Sequence, residues 1–338
     1  MKQADENSAK RRRRVTAQDV ADAAGVSRSA VSRAFTKGAY LDAEKRENIH
    51  KIAADLGYKP NALAASLQGS RSQLVAMFVG EMRNEYDKEV AAKMIAGLNA
   101  AHHWPVVIGG SGDAAREAVD RVLSYPLDAL ILRSGSLDAD IVEKCAKLNI
   151  PMISSGRLLD APNVDNVCCN NADGMIAATR YLVGQGRRKF GYIGGPEGFF
   201  SSPQRRHGVA AGLAENGLAL VAEEAGDYTA NSGYRAVEKL LTAGVTLDAL
   251  ICANDAMAIG ALSALSERGV SVPEDMSVIG FDDIAMAKWP AFRLSTVRNP
   301  MDLLVQTVID LLNRRLATPT RQAETIFLAT ELVLRETH

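Results

Sequence analysis

Between Val15 and Gly57 the chain carries helix start and stop signals so closely spaced that only short helices fit between them. Thr16 can N-cap a first helix with Asp19 at its third position, and Val15 and Val20 occupy the two positions of a hydrophobic staple, so the helix starts at Ala17. Gly25 supplies the left-handed residue that stops it, Val26 turns inward, and Ser27 caps a second helix almost at once. Two helices joined by so tight a turn make a helix-turn-helix. In the second helix Val31 and Phe35 face a small core, while Ser29 and Arg33 lie on roughly the opposite side. Arg28 and Ser29 fall in the first turn, where an arginine can hold guanine through two hydrogen bonds. The plain alternative is a solvated helix face that happens to carry two arginines. Asp42 caps a third helix with apolar positions at Ile49, Ile52, Ala53 and Leu56, and Gly57 ends it.

After Pro60, Asn61 caps a last short helix over Ala62–Leu67, followed by the flexible run Gly69, Ser70, Arg71, Ser72. A two-turn helix is marginal in water, so this one needs a partner to fold. The segment as a whole resembles the DNA-binding head and hinge of the lactose-repressor (LacI/GalR) family of bacterial transcription regulators. DVADAAGVSRSAVSR matches the family's D-V-A-x-x-A-G-V-S-x-x-x-V-S-R pattern, and LGYKPNALAASL its L-G-Y-x-P-N-x-x-A-x-x-L hinge. The resemblance implies a dimer whose paired hinge helices enter the minor groove, with Leu67 wedged into the central base step beside Ala64. The expected DNA-contacting set is Thr16, Ser27, Arg28, Ser29, Ser32, Arg33, Tyr40, Asn61, Ala64 and Leu67. Family hinges often carry arginine where this chain has Ala65 and Gln68, with Arg71 an alternative source of phosphate contact.

Charge points the same way independently of the motif. Residues 1–71 hold 14 Lys or Arg against 8 Asp or Glu, a net +6, while the remaining 267 residues carry a net −7. A basic head on an acidic body suits phosphate binding at one end. Residues 1–14 read as a basic arm, densest from Lys10 to Arg14; it either tracks the DNA backbone or only solubilises the chain. No apolar stretch follows it as a signal peptide requires, and no run reaches the length of a membrane span. The four cysteines, Cys145, Cys168, Cys169 and Cys252, lack the spacing of a zinc site or disulfide framework, which suits the reduced cytoplasm. The expected location is cytoplasmic, with the nucleoid as the bound state.

Beyond a helix-turn-helix domain at 15–60 and a hinge and linker at 61–72, residues 73–338 alternate buried-strand runs with helical segments. LVAMFV, PVVIGG, ALILRS and PMISSG are separated by helices, including Arg116–Leu123 and Ile141–Leu148, and the pattern restarts at KFGYIGG, DALICAND and SVIGFDD. Continuous apolar strands belong to parallel sheets covered on both faces, so two doubly wound α/β lobes are expected. This resembles the periplasmic-binding-protein-like core of the same family. Lobe 1 is placed at about 73–169 and 299–328, lobe 2 at about 170–298 and 329–336. Crossings are expected near Val167–Asn171, Asp283–Ala285 and Thr296–Asn299, with MDLLVQTVIDLLNRRL returning to lobe 1.

In open α/β sheets ligands collect beyond the carboxyl ends of the strands, so the interlobe cleft should be lined by residues just after them. These are Asn84, Tyr86, Arg133 and Arg157 from lobe 1, Phe200, Arg205, Tyr228, Asn254 and Asp282 from lobe 2, and Asn299 on a crossing, with Ser134 and Gly156 adjacent. The resemblance supports Arg205 of R-x-x-G, Asn254 of A-N-D and Asp282 of G-F-D-D. Asp255 and Asp283 read instead as caps of the helices or turns that follow their strands. Three arginines would make the cleft more positive than a neutral sugar needs, which leaves a sugar, a sugar phosphate and an acidic sugar all open as effector.

Enzyme chemistry finds little footing. Adjacent strand residues such as Asp282 and Asp283 point to opposite faces and cannot flank one glycosidic bond. The histidines lack metal-ligand spacing, and no G-x-S-x-G elbow is present. No catalytic residue, metal or cofactor is expected. The sequence therefore reads as a repressor-type, effector-controlled regulator of a pseudo-palindromic operator. The absence of a leucine heptad after LRETH favours a homodimer. A transport-type sugar receptor and a sugar-metabolising enzyme with a DNA-binding head are the alternatives.

Overall fold

The computed structural model describes residues 14–36, 38–61, 71–133 and 139–338. The chain forms two compact units, one ending at Ser72 and the other running from Gln73 to His338. The expected hinge helix at Ala62–Leu67, most of the basic arm and Ser134 lie outside the described residues.

Among the described residues the first unit contains three helices, α1 (Ala17–Ala24), α2 (Arg28–Phe35) and α3 (Ala43–Leu56). Their ends follow from local chemistry. At α1, Thr16 and Asp19 complete a reciprocal capping box, with the Thr16 N–H donating to Asp19 Oδ2 at 2.8 Å, and Gly25 closes the helix at φ 65°. Ser27 caps α2 and Asp42 caps α3. Val20, Val31 and Ile49 are fully buried at the centre, with Phe35 edge-on to His50 and Tyr58 at the rim. Leu56, expected in this core, is 41% exposed: it ends α3 a turn beyond the last residue that α1 and α2 cover.

The second unit is built on two six-stranded sheets. Lobe 1 contains β1 (Leu74–Gly80), β2 (Trp104–Gly109), β3 (Ala129–Arg133), β4 (Met152–Ser155), β5 (Val164–Cys169) and β11 (Thr325–Leu328), in the order β11-β5-β4-β3-β1-β2, all parallel. Alternation explains the continuous apolar runs. Val75, Met77 and Val79 join one core with α4 (Glu85–Ala100) and α11 (Met301–Ala317), while Ala76 and Phe78 join another with α5 (Gly112–Val122) and α6 (Ala139–Lys147).

Lobe 2 contains β6 (Phe190–Gly194), β7 (Leu220–Ala225), β8 (Ala249–Cys252), β9 (Ser277–Asp282), β10 (Ser295–Arg298) and β12 (Glu331–Val333), ordered β12-β10-β9-β8-β6-β7. Only β12 is antiparallel. Its helices are α7 (Asn171–Gly184), α8 (Ser201–Ala214), α9 (Ala230–Thr242) and α10 (Asp255–Glu267). The α9–α10 pair packs backbone to backbone: a Cβ at Gly260 would stand 1.8 Å from the Ala230 carbonyl oxygen, and one at Gly233 2.0 Å from that of Met257.

The chain passes between lobes at Asn170, at Asn299–Pro300 and at Ala329–Thr330, since β5, β10 and β11 each end one lobe and α7, α11 and β12 each begin in the other. The crossing expected near Asp283–Ala285 is not one. After β9 the chain makes a 3-10 turn at Ala285–Lys288 that buries Ile284 and Ala287 in the lobe 2 core, then returns as β10 beside β9.

Candidate DNA-reading face and ligand cleft

The outward face of α2 is built by its two caps. Ala30 and Val31 are buried, which turns Arg28, Ser29, Ser32 and Arg33 outward, and all four are exposed. Ser27 accepts from the Ala30 N–H at 3.2 Å while its hydroxyl lies 2.9 Å from that of Ser29. Arg33 folds along its own helix, with Nε donating to the Ser29 carbonyl at 3.3 Å. Thr16 is engaged in the α1 cap, Tyr40 is 91% exposed, and Asn61 is exposed at the end of the described head. Ala64 and Leu67 lie outside the described residues.

Sequence reasoning missed Arg46. From α3 it donates to the carbonyls of Ala34 at 2.7 Å and Ala39 at 2.6 Å, and to Arg33 at 3.3 Å. It thereby ties the end of α2 to the loop that follows it and fixes how that helix leaves the core. The contact spans a dozen positions of sequence, with no local signal to announce it.

In the second unit the strand ends of both lobes converge on a cleft. Eight expected residues line it: Asn84, Tyr86, Arg133, Arg205, Tyr228, Asn254, Asp282 and Asn299. Phe200 and Arg157 do not, since Phe199 takes the expected place of the first and Gly156 presents its backbone where the second would reach. Asp87, Asn171, Cys169 and Ser201 were not foreseen; three of them sit in the first turn of a helix, the fourth at the end of β5.

Arg205, 5% exposed, organises the lobe 2 wall. Its Nε donates to Asn171 Oδ1 at 2.9 Å, Nη1 to the Ala253 carbonyl at 2.6 Å and Nη2 to Asp282 Oδ1 at 3.2 Å, over the Phe281 ring at 3.7 Å. Burial pushes the Asp282 carboxyl up to about 6 against the pull of Arg205. Backbone strain aims this corner. Asp282 stands at φ 121° and Asp283 at φ 56°, so the two side chains part: Asp282 faces the cleft, and Asp283 pairs with Arg298 at 2.8 Å and with Arg335. Tyr228, also left-handed at φ 68°, lies edge-on to Phe199 and directly over Gly195, where a Cβ would stand 2.3 Å from its ring.

Three capping assignments change. Asn254 is the N-cap of α10, accepting from the Met257 N–H at 3.0 Å while donating to the Tyr228 carbonyl. Asp255 and Asp283 do not cap the elements that follow their own strands, though neither lines the cleft and both make structural contacts. Asp255 is buried beneath the cleft, accepting from the Ile284 N–H at 2.9 Å and the Thr296 hydroxyl at 2.5 Å. Desolvation and the nearby Asp282 carboxylate push it up to about 7. The expected positive excess is also absent. Arg133 faces Asp87 at 3.4 Å and Arg205 faces Asp282, so two cations meet two anions. Among the described residues no group of three His, Cys, Asp or Glu is placed to hold a metal, and no helix is long and apolar enough to cross a membrane.

Comparison with known proteins covers both units. The family of bacterial regulatory proteins of the lacI type matches residues 16–61, and a periplasmic binding protein-like domain matches residues 179–338. The probable HTH-type transcriptional repressor ExuR of Bacillus subtilis (strain 168) is 32% identical over 327 residues, covering 95% of this chain and 98% of that protein. The lactose operon repressor of Escherichia coli (strain K12) is 30% identical over 302 residues, covering 88% and 84%. A crystal structure of the Lac repressor dimer bound to operator and the anti-inducer ONPF superposes with a TM-score of 0.87 at 28% identity, covering 96% and 99% of the two chains. The transcriptional regulator CelR in complex with cellobiose superposes at 0.73 and 26%, covering 96% and 100%.

Proposed function

Because the chain belongs to the lacI family of bacterial regulatory proteins, we propose that it is a repressor working as a homodimer on a pseudo-palindromic operator, under the control of a small sugar-type effector held between the two lobes. It acts in the cytoplasm, on the DNA of the nucleoid. The observation that carries this reading is the outward edge of α2, where Arg28, Ser29 and Arg33 stand exposed on a helix whose start, turn and end are fixed by caps and by Arg46. Helix-turn-helix proteins place such an edge against base edges in the major groove, and two subunits read two half-sites. Ser27, Ser32, Thr16, Tyr40 and Asn61 surround that edge as backbone contacts, and Ala64 and Leu67 belong to the minor-groove hinge.

Control follows from linkage. An effector that prefers one arrangement of the lobes biases the segment at 61–72 leading to the head, and with it operator affinity. Arg205, Asp282, Asn84, Asn254, Asn299, Tyr86, Tyr228 and Arg133 form the effector wall, and the similar structures of CelR in complex with cellobiose and of Lac repressor with the anti-inducer ONPF support a small-molecule effector. Selection from a random DNA pool tests the reading. The full-length protein should enrich a palindrome, Arg33→Ala should flatten preference at one position of each half-site, and affinity should fall linearly on a log–log salt plot. Failure to enrich any sequence at moderate salt, with and without candidate sugars, would sink it.

A further inference from the structure

The two arginines of the cleft are not equivalent. All three nitrogens of Arg205 have partners, and its ring-facing side is covered by Phe281. Arg133, at the end of β3 and 4% exposed, has much less. Its Nη2 reaches Asp87 Oδ1 at 3.4 Å, beyond the usual range for such bonds, and its guanidinium stands 5.9 Å from the Tyr86 ring centre. Its Nη1 is buried and donates to no group among the described residues. Asp87 is a divided partner, since Oδ2 accepts from Asn84 Nδ2 at 3.0 Å. A buried guanidinium in this state has one long, shared carboxylate partner and a donor left unused.

We propose that Arg133 reads an acidic group on the effector, and that the effector is a carboxylate-bearing polyol, that is a sugar acid, rather than a neutral sugar. This rests on the effector-sensing role of the cleft given above. The planar fork of an arginine matches a carboxylate through two parallel hydrogen bonds, which gives Nη1 its acceptor and replaces the long contact to Asp87 with a close anion. A neutral hydroxyl supplies only the acceptor. A phosphate ester brings up to two charges into a cleft that already holds Asp87 and Asp282, with a single under-used cation to receive them. A carboxylate on Arg133 frees Asp87 to accept a sugar hydroxyl, and Phe199 with Tyr228 offers an aromatic surface to the ring's C–H groups.

The test is calorimetric titration of the full-length protein with glucuronate, galacturonate and gluconate, with glucose and galactose as neutral counterparts, and with glucose 6-phosphate. At least one acid should bind about ten- to a hundredfold tighter than its neutral counterpart, the range for a charge-assisted bond to a buried partner. In Arg133→Met that advantage should shrink to less than about threefold, and Arg133→Lys should keep part of it. Circular dichroism and a cooperative urea transition establish that both variants are folded; should Arg133→Met fail there, Arg133→Lys alone decides, by weakening the acid and not the neutral sugar. A neutral sugar that matches its acid, tighter binding of the phosphate ester, acid affinity indifferent to position 133, or silence from every ligand at millimolar concentration would overturn the sugar-acid assignment. Operator binding by the wild-type protein in the same preparation keeps the regulator reading separate, because that reading fails only if DNA is not bound.

Discussion

Asp255 gives the most quantitative prediction. It is fully buried, and its pKa rises from the ordinary 3.8 to about 7, first through desolvation and then through the Asp282 carboxylate, partly offset by hydrogen bonds from Thr296 and Ile284. The folded state therefore binds a proton more tightly than the unfolded state does. Below the unfolded value both states are protonated and the residue is neutral to stability; as pH rises through the window from about 4 to 7, stability is lost, and above it the loss is complete. Roughly three units at about 1.4 kcal/mol each set a ceiling of about 4 kcal/mol. Asp255→Asn removes the titration while keeping the shape. The amide oxygen can face the Ile284 N–H, and the amide nitrogen can face the Thr296 hydroxyl, which rotates from donor to acceptor. Urea unfolding of the full chain at pH 5 and pH 8 should show the variant gaining on wild type by about 3 kcal/mol as pH rises, since roughly two of the three units lie above pH 5. A stability difference identical at the two pH values would refute the reasoning.

Other consequences are read from single contacts. Arg205→Leu leaves Asp282 buried without its cation and should cost about 3–5 kcal/mol by chemical denaturation, with Asp282→Asn added to it restoring a large part. Arg46→Met should lower the melting temperature of the head by removing three hydrogen bonds, two to the end of α2 and one to the loop after it, while the operator sequence preferred by the protein stays the same, because Arg46 holds the reading helix and does not face outward with Arg28 and Arg33. Gly260→Ala forces α9 and α10 apart and should destabilise by about 1–3 kcal/mol or more, measured in the same denaturant series.

How far the sequence carried depends on whether the deciding forces are local. The helix boundaries of the head were legible because each is set by a cap within four residues, as at Thr16, Gly25, Ser27, Asp42 and Gly57. Strands buried on both faces were legible as apolar runs. β5 was not, because its VDNVCC pattern is broken by Asp165, whose buried charge is balanced by Arg315, 150 positions away, and by Arg321. β7 and β12 are edge strands, half-exposed or only three residues long, with too little burial to leave a pattern. In the cleft, the rule that ligands gather at strand ends located most of the wall. It failed by one residue at Phe199, where the loop before α8 sets the phase, and at Arg157, whose neighbour Gly156 lines the cleft in its stead. The expected excess of positive charge failed for a similar reason: Asp87, one helical turn from its Asn84 cap, becomes a cleft residue only when α4 meets β3.

The central claim is that operator and effector sites act on one equilibrium, and reciprocity tests it most directly. The Kd of the full-length protein for its selected operator is measured with and without saturating effector, and the Kd for effector with and without saturating operator. The same factor is expected in both directions, between about five- and 150-fold, whichever state the effector prefers. Equal operator affinities with and without an effector that demonstrably fills the cleft would contradict it.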